Sequence, residues 1–137
     1  MIDWTDMEII ELLAANSRMQ WQEIGKKVHL TGQAVRNRIS RLEKLEIIEG
    51  YTVRLDREKL GYCLTAYVTL LMKTTDHAAF RKYITGNELV TDAHRISGEG
   101  CYIFKVETSN RQSLNELLDD VLKFGNYRLN LSIDKIK

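Results

Sequence analysis

Proline is absent from the 137-residue chain, and cysteine and glycine are scarce, with two and eight residues. This scarcity excludes a collagen-like fibre, which needs glycine at every third position, and a disulfide scaffold, which needs many cysteines. Apolar residues make up 44% of the chain, a share that fits a globular protein rather than a disordered tail. A chain of this length predicts one domain or two very small ones.

Long apolar runs are also missing. No stretch approaches the roughly 18 uninterrupted apolar residues of a membrane-spanning helix, and the first six residues lack the basic-then-apolar order of a signal peptide. We therefore expect a soluble cytoplasmic protein without a membrane partner. Cys63 and Cys101 have no metal-ligand spacing, so we interpret them as reduced, packed thiols and expect neither a metal site nor a cofactor.

Catalytic motifs are missing too. The sequence shows no Ser/His/Asp set, no glycine loop for phosphate and no pair of catalytic carboxylates. We therefore assign no catalytic residue and do not expect an enzyme. The scattered residues His29, His77 and His94 receive no role, and we assign Trp4 and Trp21 to the core or to an interface.

Charge is nearly balanced, with 20 basic and 19 acidic residues, but its distribution is uneven. Residues 1–12 carry four acidic side chains and no basic ones. Residues 26–44 carry six basic side chains against Glu43 alone. A basic patch of this kind is the electrostatic footprint of a nucleic-acid contact, although most charge runs are only solvated surface.

Apolar spacing before about residue 60 is helical. Thr5 and Glu8 have the spacing of a capping box and predict a first helix that ends near Ala15. A second short helix is predicted over 21–28. Residues 47–55 are predicted to be β, as a wing or a connecting strand.

The third helix is predicted from its cap Thr31 to about Leu45, and the short connection before it matches a helix-turn-helix, whose third helix can enter a major groove. Its apolar stripe leaves an opposite face that is polar and cationic. Gln, Asn and Ser suit base edges, while Arg and Lys suit guanine or phosphate. The candidate DNA-binding residues are Thr31, Gln33, Arg36, Asn37, Arg38, Ser40, Arg41 and Lys44.

The rest of the chain alternates strands with helices. Strands are predicted over 65–72, 90–97, 102–108 and 129–133. A helix capped by Asp76 is predicted after the first of these strands. A strongly periodic helix over 114–122, closed by Gly125, is predicted before the last strand. This βαββαβ order predicts a ferredoxin-like sandwich with both helices on one face of an antiparallel sheet. We expect apolar side chains on the other face, which would favour self-association.

Two N-terminal motifs are specific. Residues 35–43 read V-x-x-R-I-x-R-L-E, and residues 47–52 read I-I-x-G-Y-T. With Ile2-Asp3 and Glu23-Ile24-Gly25, they resemble the Lrp/AsnC family of transcriptional regulators, and the resemblance covers essentially the whole chain. It implies an α+β fold, with an N-terminal winged helix-turn-helix and a C-terminal ferredoxin-like sandwich that senses a ligand and dimerises.

The resemblance also implies partners and domains. We expect a nucleoid-associated regulator that binds double-stranded DNA at palindromic promoter sites as a homodimer, with dimers assembling into tetramers or octamers. The predicted domains are 1–50 for DNA binding, 51–62 for a connecting strand and linker, and 63–137 for the sandwich.

An effector site is implied at the turn between the second and third sandwich strands, where the family commonly has a Gly-x-x-Asp-like motif that binds an amino acid between dimers. Here the turn reads Gly98, Glu99, Gly100 and Cys101, with cysteine in place of the acidic residue. The ammonium group of an amino acid thereby loses a charge partner, although Glu99 could substitute. An amino-acid effector is therefore left open.

Two alternatives remain beside a regulator of specific promoters. One is a weakly specific, DNA-wrapping architectural protein without an effector. The other is a small-molecule-binding module in which DNA binding is secondary.

Overall fold

The chain forms two compact units, Met1–Arg54 and Leu55–Lys137, each with its own apolar core. The computed structural model describes residues 1–98 and 100–137. Among those residues, no helix has the length and apolar character needed to cross a bilayer.

Three helices build the first unit: α1 (Trp4–Ala15), α2 (Trp21–Val28) and α3 (Gly32–Lys44). Each contributes apolar side chains from its predicted stripe, with the exception of Trp21 in α2, and burial of these side chains against one another drives the packing. The buried core consists of Ile9, Leu13, Ile24, Val28, Val35 and Ile39.

The cap of α1 lies two residues earlier than predicted. The Asp6 amide donates to the Asp3 carboxylate at 2.9 Å, and the Asp3 amide donates to the Asp6 carboxylate at 3.0 Å. This reciprocal capping box satisfies two amides that the helix leaves without partners. The prediction that Thr5 and Glu8 form the box was wrong. Asp3 and Asp6 have the same three-residue spacing at the start of this helix, and it is this pair that forms the capping hydrogen bonds.

The turn between α2 and α3 is tight. His29 has the left-handed φ of 59°, which lets the Leu30 amide donate to the Gly25 carbonyl at 2.9 Å. A side chain at Gly25 would collide with the Leu30 carbonyl oxygen, so the close backbone approach requires glycine. The predicted cap of α3 is confirmed, because the Ala34 amide donates to the Thr31 hydroxyl at 3.1 Å.

The strand predicted over 47–55 does not form, and so no wing follows α3. The amides of Ile47 and Ile48 both donate to the Leu42 carbonyl, so the start of this segment closes α3 instead. In the described part of the chain, no strand pairs with residues 49–55. The side chains of Tyr51, Val53 and Leu55 in this segment are exposed. An alternating apolar pattern makes a strand only where a second backbone is available to bond it.

The second unit confirms the predicted ferredoxin-like order. Its sheet runs β2-β3-β1-β4 with every neighbouring pair antiparallel. The elements are β1 (Leu64–Met72), α4 (His77–Thr85), β2 (Val90–Arg95), β3 (Tyr102–Thr108), α5 (Arg111–Val121) and β4 (Gly125–Leu131).

The core of this unit lies between the sheet and its helices. The predicted cap Asp76 is confirmed, since its carboxylate accepts from the Ala79 amide at 3.0 Å. α5 buries the predicted leucine stripe but ends at Val121, so Leu122 is 53% exposed. Gly125 opens β4 rather than closing the helix, because it lies against the backbone of Leu71, where a side chain would collide.

The sheet face away from the helices is mixed rather than apolar, which corrects the prediction. Alternation along β1 places Thr65, Tyr67 and Thr69 on this face, and the pairing with β3 adds Ile103 and Lys105. The apolar residues of β1 at positions 66, 68 and 70 face the helices and are buried. Exposed apolar side chains are concentrated elsewhere, on β4 and after it, at Leu129, Leu131, Ile133 and Ile136.

Replacing Gly25 with alanine should destabilise the first unit by about 1–3 kcal/mol, because the new methyl group forces the backbone at Leu30 to move. Both tryptophans of the chain lie in this unit, so their fluorescence during urea unfolding measures the effect. Gly50→Ala is the matched control, since nothing lies near its added methyl group. Equal stability of the two variants would contradict this account of the turn.

Candidate nucleic-acid interface

The polar face of α3 is the candidate nucleic-acid interface. The predicted apolar stripe, Val35, Ile39 and Leu42, is the buried one. The predicted DNA-binding residues fall into two groups. Arg38 and Arg41 bind carboxylates of α1, whereas the outward group lies along the other flank of α3 and consists of Thr31, Gln33, Arg36, Asn37, Ser40 and Lys44.

Arg38 and Arg41 share the carboxylate of Asp6, which has no exposed surface. Arg38 Nη1 donates to Asp6 Oδ1 at 2.8 Å and to Asp3 Oδ2 at 2.7 Å. Arg41 Nη2 donates to Asp6 Oδ2. The four side chains form a charge cluster that ties the start of α1 to the second half of α3.

The cluster shifts its own protonation equilibria. The hydrogen bond from Arg38 lowers the pKa of Asp3, and the hydrogen bonds to Asp3 and then Asp6 raise the pKa of Arg38. Both shifts favour the charged forms. The acidic stretch at residues 1–12 thus neutralises part of the basic patch, and the cationic surface of α3 is smaller than the sequence predicts.

Arg36 lies against an aromatic ring instead of an acid. Its guanidinium carbon is 5.1 Å from the centre of the Trp21 ring, within the range of a cation–π contact. Trp21 is 46% exposed, so it does not lie in the core, and of the two predicted alternatives the interface remains a prediction. Its apolar spacing with Ile24 and Val28 predicted a buried position, and no feature of the sequence separates it from that stripe.

A groove of about 490 Å³ runs beside this contact, lined in part by Trp21, Arg36, Ser40 and Tyr51. The Tyr51 hydroxyl donates to Glu43 Oε1 at 2.8 Å. Burial, followed by this hydrogen bond to a carboxylate, raises the pKa of Tyr51 to about 12. Glu43, the acidic residue of α3, is therefore held toward the groove.

The amide side chains of the outward group bond each other. Gln33 Nε2 donates to Asn37 Oδ1 at 3.0 Å, one helical turn apart. Thr31 uses its hydroxyl to cap the helix, and Lys44 is exposed near its end.

The predicted effector turn is held by backbone constraints. Gly98 and Gly100 have φ values of +89° and +94°, where glycine is strongly favoured, and Glu99 lies outside the described residues. The Cys101 amide donates to the Leu70 carbonyl at 2.7 Å, and its half-buried side chain packs beside the core of the second unit. Across the described ranges, no three His, Cys, Asp or Glu side chains are grouped as a metal ion would need.

Comparison with protein-family models gives two matches. The AsnC-type helix-turn-helix domain matches residues 2–43, and the Lrp/AsnC ligand binding domain matches residues 65–137. The HTH-type transcriptional regulator LrpB of Bacillus subtilis is 45% identical over 136 residues, which cover 99% of this chain and 91% of LrpB. The regulator LrpA of the same organism is 31% identical, with 98% and 100% coverage.

Solved structures share the fold over the whole chain. The structure of B. subtilis LrpC superposes with a TM-score of 0.92 at 27% identity and covers 100% of this chain and 98% of LrpC. A transcriptional regulator of Neisseria meningitidis, solved as a complex with L-methionine, has the same TM-score at 21% identity, covering 100% of this chain and 93% of the neisserial one.

Replacing Asp6 with asparagine should destabilise the first unit by about 2 kcal/mol, because it weakens charge-assisted hydrogen bonds to both Arg38 and Arg41. Urea unfolding followed by tryptophan fluorescence measures this. Glu11→Gln, which neutralises an exposed carboxylate on the same helix, is the control and should change little. An unfolding midpoint for Asp6→Asn equal to that of the control would show that the cluster adds no net stability.

Proposed function

The chain belongs to the Lrp/AsnC family of transcriptional regulators, and from that membership we propose that it contacts double-stranded DNA with the outward group on α3. The family confirms a DNA-binding helix-turn-helix regulator and not an enzyme. The residues that touch DNA, the assembly and the effector are our proposals.

The pair formed by Gln33 and Asn37 carries the proposal for α3. These residues lie in the first half of the helix, the part that reaches base edges in helix-turn-helix proteins. Their hydrogen bond restrains two amide side chains at the surface before DNA binds. Binding therefore costs less side-chain conformational entropy. Amides of this kind pair with the donor and acceptor of adenine in the major groove.

Arg36 is the cation of the outward group best prepared for DNA. Its contact with Trp21 restrains the guanidinium while consuming none of its N–H donors. Those donors are therefore available for guanine or for a phosphate. Trp21 acts here as a positioning residue.

Arg38 and Arg41 have a different role in this proposal. They hold α3 at a fixed angle to α1 through Asp6, and only their remaining donors can reach a phosphate. Their removal should act first on stability, whereas removal of Arg36 should act on DNA affinity alone.

Replacing Arg36 with glutamine should weaken binding to the promoter region of the protein's own gene by about tenfold at physiological salt. The slope of log affinity against log salt concentration should fall by about one, because one cationic contact is lost. Fluorescence anisotropy of labelled promoter DNA at several salt concentrations measures both.

Arg111→Gln is the control for this experiment, since it removes an exposed arginine of the second unit. Arg41→Gln should lower the urea midpoint of the first unit, a change that Arg36→Gln should not cause. Wild-type affinity and salt slope in the Arg36 variant would refute the proposed contact.

We also propose that the chain dimerises through β4 of the sandwich. β4 is an edge strand, and Leu129 and Leu131 are 37% and 44% exposed on it. Ile133 continues the alternation and is fully exposed. A second copy would cover these side chains and bond the free edge, and a symmetric dimer would present two α3 helices to a palindromic site. Dimers would then assemble into tetramers or octamers.

Replacing Leu131 with aspartate should convert the dimer or larger assembly into monomers, because it puts a charge into the proposed apolar contact. Light scattering after size-exclusion chromatography measures the mass. Leu122→Asp, at an exposed apolar position at the end of α5, is the control and should keep the assembly. An unchanged mass for Leu131→Asp would place the interface elsewhere.

An amino-acid effector is the remaining part of the proposal, and it rests on the ligand-binding domain match and on the neisserial neighbour crystallised with L-methionine. The site proposed for it is the turn with Gly98, Gly100 and Cys101, together with Glu99. The same proposal locates the protein on chromosomal DNA in the cytoplasm.

A further inference from the structure

A cleft of about 280 Å³ lies between α4 and β2 in the second unit. Three buried apolar side chains, Phe80, Ile84 and Tyr102, form its lining on the core side. β2 is one of the two edge strands of the sheet, and its residues at 91–95 are exposed. The cleft is therefore an apolar surface that remains open to solvent.

Two arginines also line this cleft, and none of the described residues that line it is acidic. Within the described ranges Arg81 makes no ion pair, and Arg95 contacts the Tyr102 ring, 5.9 Å from its guanidinium carbon. Asp92 is not among the lining residues, and its carboxylate bonds the imidazole of His94, which is one of them, at 3.1 Å. Two cations that form no ion pair with a described residue, beside an apolar wall, favour an anion.

The aromatic wall is held in place from behind. The Tyr102 hydroxyl and His77 Nδ1 are hydrogen-bonded at 2.8 Å, and the Tyr102 ring packs 4.6 Å from the Phe80 ring centre. Because both rings are already fixed, the apolar surface is preformed. A ligand that binds there does not have to restrict the motion of these side chains.

We propose that this cleft binds a small monocarboxylate that has a branched or aromatic apolar body and no ammonium group. The volume is just below the usual range for small-molecule sites, which limits the occupant to a small one. The apolar wall accommodates the body, and the guanidinium groups of Arg81 and Arg95 match the carboxylate, which arginine binds with two parallel hydrogen bonds. Branched or aromatic 2-oxo acids belong to this class.

An amino acid fits the cleft less well than the corresponding acid without nitrogen. Its ammonium group would lie near two like charges, and none of the lining residues in the described ranges has a carboxylate to compensate for them. This separates the cleft from the amino-acid site proposed at the turn with Gly98 and Gly100. Binding of a carboxylate in the cleft does not depend on the proposed DNA contact. An effect of that binding on DNA affinity would rest on the proposed DNA contact.

Isothermal titration calorimetry of the full chain tests the proposal, with 3-phenylpropanoate and 4-methyl-2-oxopentanoate as probes and with phenylalanine and leucine as their ammonium-bearing counterparts. The two acids should bind and their counterparts should bind more weakly. Arg81→Gln and Arg95→Gln should each weaken binding of the acids by about tenfold, the loss expected for a charge-assisted hydrogen bond. Ala93→Phe, which fills the cleft, should abolish binding.

Arg111→Gln is the matched control, because it removes an exposed arginine of the same unit away from the cleft lining. Circular dichroism verifies that each variant is folded. Absence of heat with both acids, or binding that both arginine variants leave unchanged, overturns the proposal. Binding of amino acids alone, insensitive to Arg81 and Arg95, also overturns it, while the separate proposal of an amino-acid effector would stand.

Discussion

The carboxylate of Asp6 is completely buried, and its hydrogen bonds to two arginines join the first and third helices of the first unit. A carboxylate removed from water is costly unless it is paired with a cation and hydrogen-bonded. Arg38 and Arg41 supply those donors from α3, and Asp3 completes the cluster while capping α1. Together with the apolar core, this interaction restrains the orientation of α3, and with it the direction of every side chain that α3 presents to a partner.

Local signals in the sequence predicted most of the fold. The caps Thr31 and Asp76 and the apolar stripes of α3 and α5 lie where spacing placed them, because each depends on residues within a turn or two of the chain. The ferredoxin-like order followed from the alternation of strand and helix patterns. Each of these features is a short-range property, and a single chain reveals it directly.

The site was predicted less completely because its contacts join distant parts of the chain. Arg38 and Asp6 are separated by 32 positions, and helical spacing could not show that acids of α1 neutralise cations of α3. The contact between Trp21 and Arg36 was missed for the same reason. The wing failed differently: residues 47–55 have the right alternation, but pairing requires a partner that the described chain does not provide.

The two edges of the sheet differ in what they offer another chain. β2 carries Asp92 and Arg95, whose charges discourage a further strand from adding, while β4 carries Leu129 and Leu131. A sheet with two receptive edges could grow without limit into a fibre. With only one receptive edge, pairing of two copies through β4 would use that edge in both, so strand addition would end at the proposed dimer and any larger assembly would have to form through other surfaces.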